Sequence, residues 1–430
     1  MRWVTGILAL TMAASAAAQQ APAPQHLEVT LTEAIQRALE VQPGMVQARG
    51  DERNAGAARR VAYGAFLPTV STTSGALRNS TARRDPNTDV VYPPGYSYSV
   101  GFRASVDQFN PFRRLADRRA AGASLDATEA GVVTQRFQVT LDTKRFFYNA
   151  LATEELVRVA QSQVRRAQQQ LQISVEKLHA GSATRSDSLR STVDYGNARI
   201  ALLEAQANLA GAQATLGRQI GVDQPVRAVP DSTLPTLADT TALRAIALGS
   251  TPLVAQADAQ ATAARAQLFS ARSQYLPSLT VTYTDNQNSL APPWRGIGAY
   301  KETFSWQFGL SWTLFNGFAR EQQHVTASVN RDVAEARAAD TRRQVNAELT
   351  LQIAALTTAH EKIDIARANV DAATEDLRVQ NERYRVGAAT ILDLLTSQAA
   401  LTQAEQNFVQ VRFDYLIARA QLEALVGHEL

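Results

Sequence analysis

Residues 177–221 align without a gap on residues 383–427, at an offset of 206. Gly181 falls on Gly387, Ala183 on Ala389, Thr184 on Thr390, Asp187 on Asp393, Leu189 on Leu395, Ser191 on Ser397 and Gly221 on Gly427. The same offset carries Phe109-Asn110-x-Phe112 onto Phe315-Asn316-x-Phe318, so the spans between, 112–177 and 318–383, have equal length. Upstream, FLPTV (66–70) resembles YLPSL (275–279) at an offset of 209, which Pro43 and Pro252 share. Self-similarity on this scale means one structural unit used twice. The expected unit runs helix, strand, loop, strand, very long helix, turn, helix. The first copy covers 19–221 and the second 242–430, joined by the turn-rich linker VDQPVRAVPDSTLPTLADTT at 222–241.

The prolines say where long helices are allowed. None occurs from Phe112 to Gln224, and none from Trp294 to the end. Proline costs about 3 kcal/mol inside a helix, so these spans permit helices at about 112–178 and 318–384, each roughly 100 Å long at 1.5 Å per residue. From Phe318 to Val426 the only glycine is Gly387, within RYRVGAATILDLL (383–395). Glycine ends a helix in a left-handed conformation that residues with a Cβ avoid. Thr390 is placed to cap the next helix, with Asp393 in its first turn, where a negative charge suits the helix dipole. In the first copy Gly181 ends the helix and Thr184 or Ser186 caps the next. One breaker suffices because the chain turns back once, at the tip of a hairpin.

The return helices, about 185–220 and 390–427, carry heptads. Leu394, Leu401, Phe408, Tyr415 and Leu422 form one seam; Ser397, Ala404, Val411, Ala418 and Leu425 form the other. The first copy sets Leu202, Leu209 and Leu216 beside Ala198, Ala205 and Ala212. This spacing is that of coiled coils. An isolated helical hairpin in solution would account for the heptads, but not for the attached strands or the duplication.

The strands alternate. Phe304, Trp306, Phe308, Leu310, Trp312 and Leu314 interleave with Ser305, Gln307, Gly309, Ser311 and Thr313. Tyr96, Tyr98, Val100, Phe102, Ala104 and Val106 do the same with Ser97, Ser99, Gly101, Arg103, Ser105 and Asp107. These runs, about 96–109 and 302–315, exceed the 9–11 residues that a transmembrane strand needs. Their partners are about 69–79 and 278–286. A soluble antiparallel sheet with one buried face is the alternative reading. An open sheet edge cannot face lipid, and the smallest membrane barrels have about 8 strands. Four strands per chain therefore need several chains, and three chains would give twelve strands.

Composition excludes much else. Arg2, the apolar run Ile7–Met12 and Ala16-Ala17-Ala18 fit a secretory signal over residues 1–18, so export is expected. No other stretch reaches about 18 uninterrupted apolar residues. There is no cysteine, which removes disulfides, thiolate metal sites and a Cys nucleophile. A net charge of +3 gives no nucleic-acid footprint. His26, His179, His324, His360 and His428 form no metal-binding pattern. No catalytic motif appears, so the expected protein is not an enzyme and takes no cofactor or metal.

RYRVGAATILDLL with its heptads, and its weaker twin KLHAGSATRSDSL (177–189), resemble the TolC-type outer membrane efflux protein family, and the resemblance runs over essentially the whole mature chain. It implies a mixed α and β membrane protein, internally duplicated, working as a homotrimer. Four strands per chain would build a shared twelve-stranded β-barrel in outer membrane lipid, and paired helices a coiled-coil tunnel through the periplasm. It implies a periplasmic adaptor (membrane fusion) protein and an inner-membrane pump as partners. In that family acidic residues just past the turns ring the entrance; Asp187 and Asp393 match those positions, and Tyr384 matches the tyrosine before the second turn. The family's arginine after that turn is Ala389 here and a second aspartate is Thr396, so Arg185 is the candidate substitute donor. Gly181, Ser182, Ala183, Gly387, Ala388 and Ala389 are the expected adaptor contacts. The implied function is an efflux exit duct for small molecules. A type I protein secretion duct and a soluble periplasmic coiled-coil scaffold are the alternatives.

Overall fold

The computed structural model describes residues 27–84, 91–230, 251–290 and 301–428. The signal sequence assigned to 1–18, most of the linker at 231–241 and the loop segments 85–90 and 291–300 lie outside these. The chain is built from two helical hairpins, each standing on two strands of one sheet. The first hairpin pairs α3 (Pro111–His179, 69 residues) with α4 (Arg185–Gln219, 35 residues). The second pairs α6 (Ala319–Arg385, 67 residues) with α7 (Ile391–Val426, 36 residues). The long helices rise roughly 100 Å and the short ones about half that. Near the sheet, the long helices therefore pack on other partners: α2 (Pro43–Gly64) against α3, and α5 (Pro252–Ser273) against α3 and α6.

A core belt forms where both hairpins meet α1 (Leu31–Val41). Val29, Ala34, Phe147, Leu151, Leu216, Ile220, Val226 and Phe413 are buried together there. Each large side chain removed from water contributes roughly 1.5–3 kcal/mol. The belt includes a parallel ribbon, β1 (Leu27–Val29) with β6 (Val226–Ala228). This ribbon adds a short strand to the segment between the copies: Val226 and Ala228 are buried and tie it to the start of the described chain. The α7 seam runs along α6, with Leu394 and Leu422 fully buried and Tyr415 nearly so.

The sheet is antiparallel in the order β2 (Thr69–Asn79), β5 (Gly95–Phe109), β7 (Ser278–Ser289), β8 (Lys301–Ser311). A two-residue ribbon, β3 (Arg83–Arg84) with β4 (Val91–Tyr92), lies in the loop between β2 and β5. The copies meet at the β5–β7 pair, leaving β2 and β8 as open edges. Register aligns Trp306 with Tyr283 and Ala104, and Phe308 with Val281 and Val106. One face thus collects the aromatic and aliphatic residues, and the other collects Ser305, Gln307, Thr282, Thr284, Arg103 and Ser105. The apolar face lacks cover: Phe304, Trp306, Phe308 and Leu310 are each at least 60% exposed. β8 stops at Ser311 rather than near 315, because its partner β7 begins opposite, at Ser278. Beyond that point the Arg320 guanidinium donates to the Thr313 and Leu314 carbonyls at 2.6 and 2.7 Å.

Candidate functional site

The two hairpin tips lie at the far ends of α3 and α6 from the sheet. Both turns close in the same way. Ser182 N–H donates to Lys177 O at 2.8 Å and Gly181 N–H to Leu178 O at 3.0 Å. Ala388 N–H donates to Arg383 O at 2.7 Å and Gly387 N–H to Tyr384 O at 3.3 Å. This double bond with a left-handed residue is the Schellman ending. Gly181 and Gly387 supply the left-handed residue, at φ 75° and 79°. A Cβ at either glycine would meet nothing within 4 Å, so backbone strain alone demands glycine.

Each return helix then starts with a reciprocal cap. Asp187 N–H donates to Thr184 Oγ1 at 3.2 Å and Thr184 N–H to Asp187 Oδ2 at 3.0 Å. Thr390 and Asp393 repeat this at 3.2 and 2.9 Å. Thr184, not Ser186, is the cap in the first copy. The Thr390 backbone N–H and then its hydroxyl hold the Asp393 carboxyl below the usual aspartate range. Both aspartates therefore have a local structural task. Arg185 is exposed and bonds to neither aspartate among the described residues.

Tyr384 is buried, packed with Leu377, Ile391, Leu394 and Leu401 at the second tip. Its hydroxyl has no hydrogen-bond partner among the described residues. Lys177, from the first tip, donates from Nζ to the Tyr384 carbonyl at 2.5 Å and lies 4.0 Å from the centre of its ring. The sequence reading missed Lys177. Its repeat mate Arg383, also a cation in the last turn, was the available signal. Within the hairpins, small hydroxyls bring the helices close: Ser174 bonds Ser191 at 2.8 Å, and Ser397 bonds Asp376 at 2.5 Å. Between the starts of α4 and α7 lies an open groove of ≈ 450 Å³, lined by Leu189, Val193, Asp194, Leu392 and Leu395 among others. Burial raises the Asp194 carboxyl above its ordinary range. The six tip residues Gly181, Ser182, Ala183, Gly387, Ala388 and Ala389 are exposed or half-exposed. No cluster of metal-ligating side chains occurs among the described residues, and none of their helices is apolar enough to cross a membrane.

An amphipathic four-stranded sheet carried on two very long helical hairpins is the architecture of an outer membrane channel protein. The chain belongs to the outer membrane efflux protein family, which it matches over residues 34–222 and 243–428. It is 27% identical over 410 residues to the pyoverdine export outer membrane protein OpmQ of Pseudomonas aeruginosa, covering 91% of this chain and 82% of that one. It is 22% identical over 378 residues to the toluene efflux pump outer membrane protein TtgC of Pseudomonas putida, covering 86% and 76%. It is 23% identical over 362 residues to the alkaline protease secretion protein AprF of Pseudomonas aeruginosa, covering 82% and 73%. Two solved structures share the fold. The CmeC outer membrane channel of Campylobacter jejuni has a TM-score of 0.76 at 19% identity, covering 92% and 85%. The outer membrane protein VceC of Vibrio cholerae has a TM-score of 0.78 at 16% identity, covering 93% and 96%. Family membership puts the chain in the outer membrane, reaching into the periplasm, as a channel component rather than a member of an enzyme class.

Proposed function

We propose that this chain is one third of a passive exit duct for small molecules. Three copies close a twelve-stranded barrel, the β8 edge of each pairing with the β2 edge of the next. The observation that carries this is the sheet itself: an uncovered apolar face and two unpaired edges. Lipid satisfies the face but cannot satisfy the edges, whose N–H and C=O groups need a strand. The helices support the same assembly. Leu189, Val193, Ile200 and Leu203 form an exposed stripe on α4; Leu351, Ile365, Val379 and Val386, at multiples of seven, form one along α6 and its C-cap. Unpartnered stripes with coiled-coil spacing fit neighbouring copies.

In this reading the tips face an adaptor protein through Gly181, Ser182, Ala183, Gly387, Ala388 and Ala389, and an inner-membrane pump behind it supplies the energy. Asp187 and Asp393 ring the entrance, Tyr384 anchors the closed tip, and Arg185 reaches a neighbouring copy. A second reading, the duct of a protein-secreting system, is favoured by the relative AprF, whose identity is close to that of TtgC.

Electron microscopy of the detergent-extracted outer membrane fraction tests the duct. Three-fold particles with a tunnel of roughly 100 Å below a short barrel are expected. Slender particles recovered without detergent would replace the duct by a periplasmic scaffold. Deletion of the gene separates the cargo readings: small-molecule efflux predicts raised drug or metallophore retention, and protein secretion predicts a missing extracellular protein.

A further inference from the structure

We infer that the helix-proximal rim of the sheet carries a duplicated surface for the phosphate headgroups of anionic glycerophospholipid. The inference rests on the reading that the apolar face lies against lipid. Phe109 is opposite Leu279 and so belongs to that face. The Arg114 guanidinium lies 4.7 Å from the Phe109 ring centre and donates to the Asp107 carbonyl at 3.0 Å. One helical turn further along α3, Arg118 lies 5.5 Å from the Tyr63 ring centre, and Arg59 lies 5.8 Å from the same ring.

The second copy rebuilds this with different residues. Arg320, the repeat mate of Arg114, lies 4.9 Å from the Tyr275 ring centre and caps the Thr313 and Leu314 carbonyls. His324 stands where Arg118 does, and Arg272 stands where Tyr63 does; Arg272 Nε donates to His324 Nε2 at 3.3 Å. Tyr63 gives way to an arginine and Arg118 to a histidine, yet an arginine stays one turn below the rim in both copies.

That height is what a bilayer interface requires. The headgroup layer extends about 5–7 Å beyond the hydrocarbon on each side, and one helical turn is about 5.4 Å. Arg114 and Arg320 mark the edge of the apolar face; Arg59, Arg118 and Arg272 fall within the headgroup layer. Exposed Tyr63, Tyr275 and Trp312 interleave with them, as aromatic residues do at interfaces. Trp312 Nε1 donates to the Tyr275 carbonyl at 3.1 Å, which leaves the indole body for lipid. Two nearby acids are engaged elsewhere, and the exposed Glu321 beside Arg320 still leaves the cations in excess. Asp117 accepts from Ser270 and faces Arg113 at 3.8 Å, and Asp107 is held by Ser105 on the polar face. The net complement is an anionic phosphate.

The test uses detergent-solubilised full-length protein, native mass spectrometry and thermal melting. The probes are palmitoyl-oleoyl phosphatidylglycerol, palmitoyl-oleoyl phosphatidylcholine and inorganic phosphate. Phosphatidylglycerol is expected to be retained and to raise the melting temperature above the other two. Arg59→Gln, Arg118→Gln and Arg272→Gln, which leave the carbonyl caps intact, should each weaken that preference about fivefold. Equal retention of the two lipids, an unchanged preference in a variant carrying all three substitutions, or displacement by inorganic phosphate would each overturn the inference while leaving the duct intact. Protein that needs no detergent would overturn both.

Discussion

Lys177 of the first hairpin holds Tyr384 of the second twice, through its carbonyl at 2.5 Å and across its ring at 4.0 Å. The carbonyl belongs to the last turn of α6, where helix carbonyls lack intrahelical donors and attract cations. The ring face offers a second attraction to the same ammonium, worth about 0.5–2 kcal/mol depending on desolvation. One side chain thereby clasps two hairpin tips that are 207 residues apart in sequence.

Lys177→Met keeps the apolar stem and removes both attractions. The tips should separate more readily, and single-channel conductance in planar bilayers should rise. Unaltered conductance would remove the clasp from the closing machinery.

Tyr384→Phe should be silent. The hydroxyl is buried and unpartnered, so its loss breaks no hydrogen bond, while the ring and carbonyl that Lys177 uses remain. Melting temperature and conductance should match the parent. Tyr384→Ala, which empties a buried site, should cost about 3–5 kcal/mol locally and open the tip.

Asp393→Asn should weaken cation selectivity in bilayer recordings and loosen the start of α7. The pH dependence has a definite sign. Because the folded-state pKa of Asp393 is depressed, its cap is fully present at neutral pH and is lost as pH falls through that lowered value. Hydrogen exchange at Ile391 to Leu394, corrected for intrinsic rate, should therefore stay flat from pH 7 to 5. It should quicken only below the ordinary aspartate value of about 3.9.

Lys144 and Glu423 form an ion pair at 2.5 Å with side chains only 10% exposed, and Arg419 reaches Glu423 at 3.1 Å. Glu423→Ala strands a buried ammonium and should cost about 3–5 kcal/mol, whereas Lys144→Met with Glu423→Leu should recover most of that. Thermal melting of the two variants checks it.

Gly181→Val and Gly387→Val impose a left-handed backbone on a β-branched residue. The penalty is backbone strain alone, about 1–2 kcal/mol at each tip. Outer membrane oligomers should persist on native gels while drug resistance is lost. Normal resistance would take the tips out of the adaptor contact.

Much of this architecture was legible along the chain because its signals are local. Proline-free spans delimit α3 and α6, the two glycines end them, and Thr-x-x-Asp after each glycine predicts a cap that hydrogen bonds complete. Alternation marks the strand faces because side-chain direction in a strand has period two. What the sequence could not say was which surfaces meet across long separations. The pairing of β5 with β7, the burial of Val226 beside Val29, and the reach of Lys177 to Tyr384 each join segments whose residue types suit many partners. Lys177 in particular looks like any solvated cation in a last helical turn. Only the packing of two hairpins side by side brings it against a ring and a helix-end carbonyl that otherwise accepts from Gly387 N–H. Local propensity determined the elements and their order, while the requirement to cover apolar surface and satisfy helix ends across the fold decided what each element touches.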